Sequence, residues 1–109
     1  MNKHISYKLD QLFVEDVAVS EITSNLRTPF YVYSRTSIKD NFDRFTRSLK
    51  GLDSIICYSV KANSNLSVLE TIAKLRGGAD VVSLGEYHRA LKAGIDQKRI
   101  VFSLSLIHI

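Results

Sequence analysis

Residues 54 to 60 of this chain read SIICYSV, a nearly continuous apolar run of Ile55, Ile56, Cys57, Tyr58 and Val60 that stops abruptly at Lys61-Ala62-Asn63-Ser64-Asn65. So short a run, rich in branched and aromatic side chains, predicts a strand. Its lack of alternation predicts that both faces are covered, as in a parallel sheet. Parallel strands need long crossover connections, so helices are expected on either side.

Both flanks supply them. Upstream, Ile38, Phe42, Phe45 and Leu49 recur on one helical face, with Ser34 or Thr36 as cap and Gly51 as stop. Downstream, a helix is expected from about Leu66 to Arg76, carrying Leu69, Ile72 and Ala73 on one face. Its cap is either Asn65 or a capping box of Ser67 and Glu70. Gly77-Gly78 is expected to break that helix ahead of a short strand, Ala79-Asp80-Val81-Val82. Ser83 and Glu86 then open a further helix that presents Tyr87, Ala90 and Leu91 to the sheet and stops at Gly94. Ile100-Val101-Phe102 begins another strand. Before all of these, Phe30-Tyr31-Val32-Tyr33 reads as a short strand behind the Thr28-Pro29 boundary, and the predicted order is β-α-β-α-β-α-β. Residues 11 to 19 fit a strand or a short helix equally well. Repeated βα units leave two α/β architectures, a doubly wound sheet or a (β/α)8 barrel. A barrel needs about 250 residues, so a chain of 109 would hold part of one.

Composition narrows the function classes. Fifteen basic residues against eleven acidic give a net charge of +4, but the cations are scattered, with no aromatic-interleaved basic stripe, so no nucleic-acid partner is expected. No stretch approaches the roughly 20 apolar residues of a membrane span, and no signal peptide is read, so the expected location is cytoplasmic with no membrane partner. Cys57 is the only cysteine and reads as a small buried hydrophobe in a reducing compartment. His4, His88 and His108 are too sparse for a zinc site, and no metal is expected. The tail Leu104-Ser105-Leu106-Ile107-His108-Ile109 matches the translation of a transposase-end sequencing adapter, so residues 104–109 are expected to be foreign to the fold and His108 is set aside.

In either α/β architecture ligands gather at the carboxyl ends of the strands. Lys61 stands there. If its apolar neighbours shield it, its ammonium pKa falls and the neutral amine becomes able to attack an aldehyde; the plainer expectation is a lysine that reaches for solvent. Asp80 lies near the end of the following strand and could face a cation or simply satisfy loop amides. Ser83 and Glu86 read first as helix caps, at the mouth of the sheet. Gly77-Gly78 precedes a strand, so it is not a phosphate loop.

The segment Tyr58-Ser59-Val60-Lys61-Ala62-Asn63-Ser64-Asn65 resembles the cofactor-lysine motif of the diaminopimelate decarboxylases, within the barrel-type, pyridoxal-phosphate-dependent decarboxylases of basic amino acids. Thr28-Pro29-Phe30-Tyr31-Val32-Tyr33 is similar to the family's entry segment, and Gly78-Ala79-Asp80-Val81-Val82-Ser83 with Gly85-Glu86 to its second-strand motif. Arg89-Ala90-Leu91, Ala93-Gly94-Ile95 and Lys98 to Ser103 continue in register. Leu84 departs from the family's usual glycine and asks for more room.

That resemblance implies a fold-type III pyridoxal 5'-phosphate enzyme. Residues 29–103 would form the start of a (β/α)8 TIM barrel cut after about its third strand, and residues 1–28 would pack with an absent β-rich domain. It implies that Lys61 carries the cofactor as a Schiff base, that Asp80 lies close to it, and that Asn63, Ser83 and Glu86 lie about the site mouth. The implied reaction is decarboxylation of meso-2,6-diaminopimelate to L-lysine by a homodimer whose subunits share the site. The phosphate-holding, ring-stacking and partner-subunit residues would lie after Ser103, so the 109-residue chain alone is expected to be inactive and poorly folded. Three rivals stay open: a decarboxylase of ornithine, lysine, arginine or carboxynorspermidine; a non-catalytic pyridoxal-phosphate homeostasis protein; and a small α/β interaction module.

Overall fold

The strand that ends near Lys61 lies in a parallel sheet. The computed structural model describes residues 2–103. Strands β4 (Cys57–Ser59), β5 (Gly78–Val81) and β6 (Ile100–Phe102) pair in the order β4-β5-β6, with Ser59 opposite Asp80 and Asp80 opposite Val101. Helices α3 (Leu66–Lys74) and α4 (Leu84–Lys92) make the two crossovers. Fully buried Val60, Leu69, Ala79, Val81 and Ala90, together with Ile72 and Ile95, form the core. Burying a side chain such as Leu69 contributes about 1.5–3 kcal/mol. Alternation along β5 puts Ala79 and Val81 on the face packed with this core and Gly78 and Asp80 on the opposite face.

Local chemistry sets the helix ends. Asn65 caps α3, its side-chain oxygen accepting from the Ser67 N–H at 2.8 Å, which selects it over the Ser67 and Glu70 box. The left-handed residue after α3 is Arg76, at φ 64°, just ahead of the Gly77-Gly78 pair expected to break the helix. The glycines are required by space instead. A Cβ on Gly77 would lie 2.7 Å from Ile72 Cγ2 and 2.8 Å from Phe42 Cε2, and one on Gly78 would run into the Arg99 carbonyl oxygen. Leu84, the departure from the family pattern, is accommodated as the first residue of α4 with its side chain largely exposed.

Helix α2 (Arg35–Ser48) is capped by Ser34, whose hydroxyl oxygen accepts from the Ser37 N–H at 3.0 Å. Gly51 follows at φ 89°, in the left-handed conformation foreseen for the stop. The apolar face of α2 is only partly covered, and Phe45 is exposed among the described residues.

The described residues fall into two compact units divided between Asn41 and Phe42. The first holds an antiparallel meander, β1 (Ile5–Lys8), β2 (Gln11–Val14) and β3 (Val17–Ala18), and then α1 (Val19–Asn25). Lys8 pairs with Gln11 across a two-residue turn in which Leu9 and Asp10 both have positive φ. The stretch 11 to 19 is therefore mostly strand, with α1 starting at its last residue.

Two expectations are corrected. Residues 30 to 33 pair in no sheet of the described residues, because β propensity describes fitness for a pleated, half-buried surface and does not by itself provide a partner strand. The run 54 to 60 gives a paired strand of only three residues, half-buried and at an edge of the described sheet, with Ile55 exposed. The fold is mixed α/β with two three-stranded sheets and no closed barrel among the described residues. None of the described helices is long and apolar enough to cross a membrane. The 104–109 reading lies outside the described residues.

Candidate functional site

Lys61 projects from a 3₁₀ turn, Val60–Ala62, that directly follows β4. Val60 is fully buried and anchors this turn in the core, whereas Lys61 is exposed. Among the described residues Lys61 therefore follows the plainer of the two expectations, a lysine that reaches for solvent, and the apolar shielding weighed against it is absent. The loop beyond it is held firmly. Tyr58 donates its hydroxyl proton to the Asn63 carbonyl at 2.9 Å, Asn63 Oδ1 accepts from the Asn65 N–H at 3.0 Å, and Arg89 Nε donates to the Ser64 carbonyl at 2.8 Å.

Asp80 comes to the same end of the sheet through strand register, facing Ser59 of β4. The Ser59 hydroxyl donates to Asp80 Oδ2 at 3.4 Å. Asp80 Oδ1 is buried and has no hydrogen-bond partner among the described residues. Leaving a buried carboxylate oxygen unpaired costs about 1–3 kcal/mol or more, so such an atom is a place prepared for a donor. Cys57 lies on the same face, two residues before Ser59. Burial and the charge of Asp80 push its thiol pKa up, with a smaller opposing effect from Arg99, so it is not an activated nucleophile.

Ser83 and Glu86 follow β5, with their side chains engaged in the first turn of α4. Ser83 Oγ accepts from the Glu86 N–H at 3.1 Å, and Glu86 Oε1 accepts from the Val82 N–H at 2.8 Å. The structure therefore brings Lys61 and Asp80 to the ends of adjacent strands, and Asn63, Ser83 and Glu86 into the loops around them. Sequence reasoning missed Ser59, which looked like part of the strand, and Arg89, whose contact spans 25 residues. A depression of about 500 Å³ lies at the opposite, amino-terminal end of this sheet, among Ile55, Ile56, Arg76 and Arg99. Ligands of parallel α/β folds collect at the carboxyl ends, so the Lys61 end is the candidate site.

Residues 35–108 match the family model described as pyridoxal-dependent decarboxylase, pyridoxal binding domain. The chain belongs to this family. Diaminopimelate decarboxylase of Pseudomonas aeruginosa is 46% identical over 98 residues, which cover 90% of this chain and 24% of that protein. The crystal structure of diaminopimelate decarboxylase from M. jannaschii superposes with a TM-score of 0.86 at 36% identity, covering 94% of this chain and 25% of that one. The Helicobacter pylori diaminopimelate decarboxylase, solved in complex with L-lysine, gives a TM-score of 0.76 at 51% identity over 79% of this chain and 22% of its own. The chain thus spans about a quarter of the length of the relatives it matches. Its residues fit pyridoxal phosphate: an amine on a turn at the strand ends, and a buried acceptor with no donor among the described residues.

Proposed function

We propose that this chain supplies the cofactor-lysine portion of a diaminopimelate decarboxylase, with pyridoxal phosphate held covalently by Lys61. The observation that carries the reading is the placement, at one end of one parallel sheet, of an exposed lysine on a core-anchored turn and of Asp80, whose buried Oδ1 has no partner among the described residues. When bound, the cofactor supplies an electron sink for the pair of electrons left as carbon dioxide departs.

This chain's residues hold and orient. Lys61 provides the amine, and the Val60 anchor with the Tyr58, Asn63 and Arg89 hydrogen bonds fixes where that amine emerges. Asp80 offers an acceptor to a positively charged N–H donor. Asn63, Ser83 and Glu86 shape the rim through the backbone they hold. The substrate reading, meso-2,6-diaminopimelate giving L-lysine, is supported by the relatives' names and by the L-lysine complex of the H. pylori enzyme.

In the same reading residues 29–103 begin a (β/α)8 barrel and residues 1–28 pack with a β-rich domain. The complete enzyme is a homodimer in the cytoplasm, in keeping with a lone cysteine that has no disulfide partner within the chain.

The test is borohydride fixation of the full-length enzyme with pyridoxal phosphate, followed by peptide mapping and measurement of carbon dioxide release. Label on Lys61 and release from meso-diaminopimelate, both lost in Lys61→Ala, are the expected results. Label on other lysines alone would overturn the cofactor assignment. Release from ornithine, lysine or arginine but not from meso-diaminopimelate would overturn the substrate.

A further inference from the structure

We infer that Ser59 is a positioning residue for Asp80, occupying Oδ2 so that Oδ1 is presented to the Lys61 nitrogen in its cofactor-linked form. The inference rests on the cofactor reading above and deepens it. Ser59 and Asp80 are register partners across β4 and β5, on the sheet face away from the buried Ala79 and Val81. The two carboxylate oxygens are treated unequally. One receives a hydroxyl proton from Ser59, and the other is buried with no donor among the described residues.

At 3.4 Å the Ser59 contact is longer than the 2.7–2.8 Å typical of O–H···O bonds. Ser59 therefore biases the carboxylate rotation without locking it, and its effect must be smaller than that of Asp80 itself. A carboxylate oxygen is an acceptor only. What completes Oδ1 is thus a donor, and a cationic N–H gains most from a carboxylate in a partly desolvated place.

Lys61 is two residues beyond Ser59 and carries the one ligand-linked nitrogen that the reading puts at this end of the sheet. The other charged groups at this end are Glu86, whose Oε1 accepts from the Val82 N–H, and Arg89, whose Nε donates to the Ser64 carbonyl, while Cys57 and Arg99 lie toward the start of the strands, where burial and Asp80 raise the Cys57 thiol and Arg99 acts on it in the opposite sense. None of the four is hydrogen-bonded to Oδ1.

The experiment is a pH titration of the visible absorbance of the full-length enzyme loaded with pyridoxal phosphate, without substrate. A nearby carboxylate favours the protonated nitrogen, so Asp80→Asn should lower the pH of proton loss by about 1–3 units. Ser59→Ala should move it the same way by a smaller amount, Ser59→Thr should restore the wild-type profile, and thermal stability should stay near wild type in both. Ser59→Cys, close in size with a weak donor, replaces Ser59→Ala if that variant does not fold. A Ser59→Ala profile superposed on wild type, with Asp80→Asn displaced, would overturn the Ser59 role. Unmoved profiles in both variants would show that Oδ1 does not face this nitrogen. Absence of covalent cofactor at Lys61 in the wild type would remove the underlying reading and the inference with it.

Discussion

The Nε of Arg89 donates to the carbonyl of Ser64 at 2.8 Å, tying the loop that follows Lys61 to α4 across 25 residues of sequence. A loop fixed at both ends presents its lysine in one place, and ordering it before the ligand arrives lowers the cost of binding. Arg89→Ala in the full-length enzyme is expected to raise the dissociation constant for pyridoxal phosphate about 3- to 10-fold, the equivalent of losing one net hydrogen bond. Arg89→Lys should recover part of it, because an ammonium lacks the planar fork of donors. Equilibrium dialysis of the three proteins decides, and unchanged affinity in Arg89→Ala would show that the tether does no such ordering.

Glu15 makes the first unit sensitive to acid. Its carboxyl pKa is held at about 2, from an ordinary 4.5, by hydrogen bonding from the Thr36 side chain and backbone and from the Ser34 hydroxyl. The Thr36 N–H and the Ser34 hydroxyl lie 2.9 and 2.8 Å from Oε1. Because the folded value is the lower one, this stabilisation is complete above pH 4.5 and is lost as pH falls from there toward 2. Glu15→Gln should weaken protection of the first turn of α2 at neutral pH and flatten its pH dependence over that window. Asp40, also held below its usual range by the hydrogen bond to His4, titrates in both proteins, so the difference between them isolates Glu15. Hydrogen exchange is the measurement, and parallel pH curves would sink the assignment.

What could be read in the sequence was local. The cap at Ser83, the stop at Gly51 and the strand before Lys61 follow from chemistry confined to a few neighbouring residues, whereas the choice of Asn65 over the Ser67 and Glu70 box needed the structure. The hairpin at Leu9-Asp10 was not readable, because residues other than glycine carry its positive φ angles and no turn dipeptide announces it. Lys61 and Asp80 stood out as chemistry, but their common location at one sheet end depends on register. Ser59 and Arg89 stayed hidden because a serine in a strand and an arginine on a helix look like surface until the pairing is known.

Gly78 opens β5 between Cys57, its register partner on β4, and Arg99, which precedes β6. A methyl group there would run into the Arg99 carbonyl oxygen and lie 2.9 Å from Cys57 Sγ. The nearer obstacle is backbone and cannot rotate aside. Gly78→Ala should therefore cost about 1–3 kcal/mol, the usual range for overpacking, with separation of β5 from β6 as the structural effect. Gly85→Ala is the control, since its nearest contact would be Ser83 Oγ at 3.8 Å and alanine favours a helix. Urea unfolding of the full-length protein should separate the two, and equal stability of both variants would contradict the crowding.

Ser83 and Glu86 stand at the rim of the candidate site, yet both side chains are spent on α4. A cap of this kind is worth about 1 kcal/mol when truncated to alanine. If capping is the whole role, Ser83→Ala should lose about that much stability, with cofactor affinity falling only through the loosened rim. Ser83→Asn, a cap of equal rank, should then restore both quantities together. A direct ligand contact predicts a different pattern, because the larger amide would rescue the melting temperature while leaving affinity low. Glu86→Gln keeps an oxygen for the Val82 N–H and should be close to neutral in both measurements. The expected outcome is joint rescue by Ser83→Asn, measured as thermal stability and cofactor affinity on the same preparations, and rescue of stability alone would move Ser83 from the helix cap to the ligand.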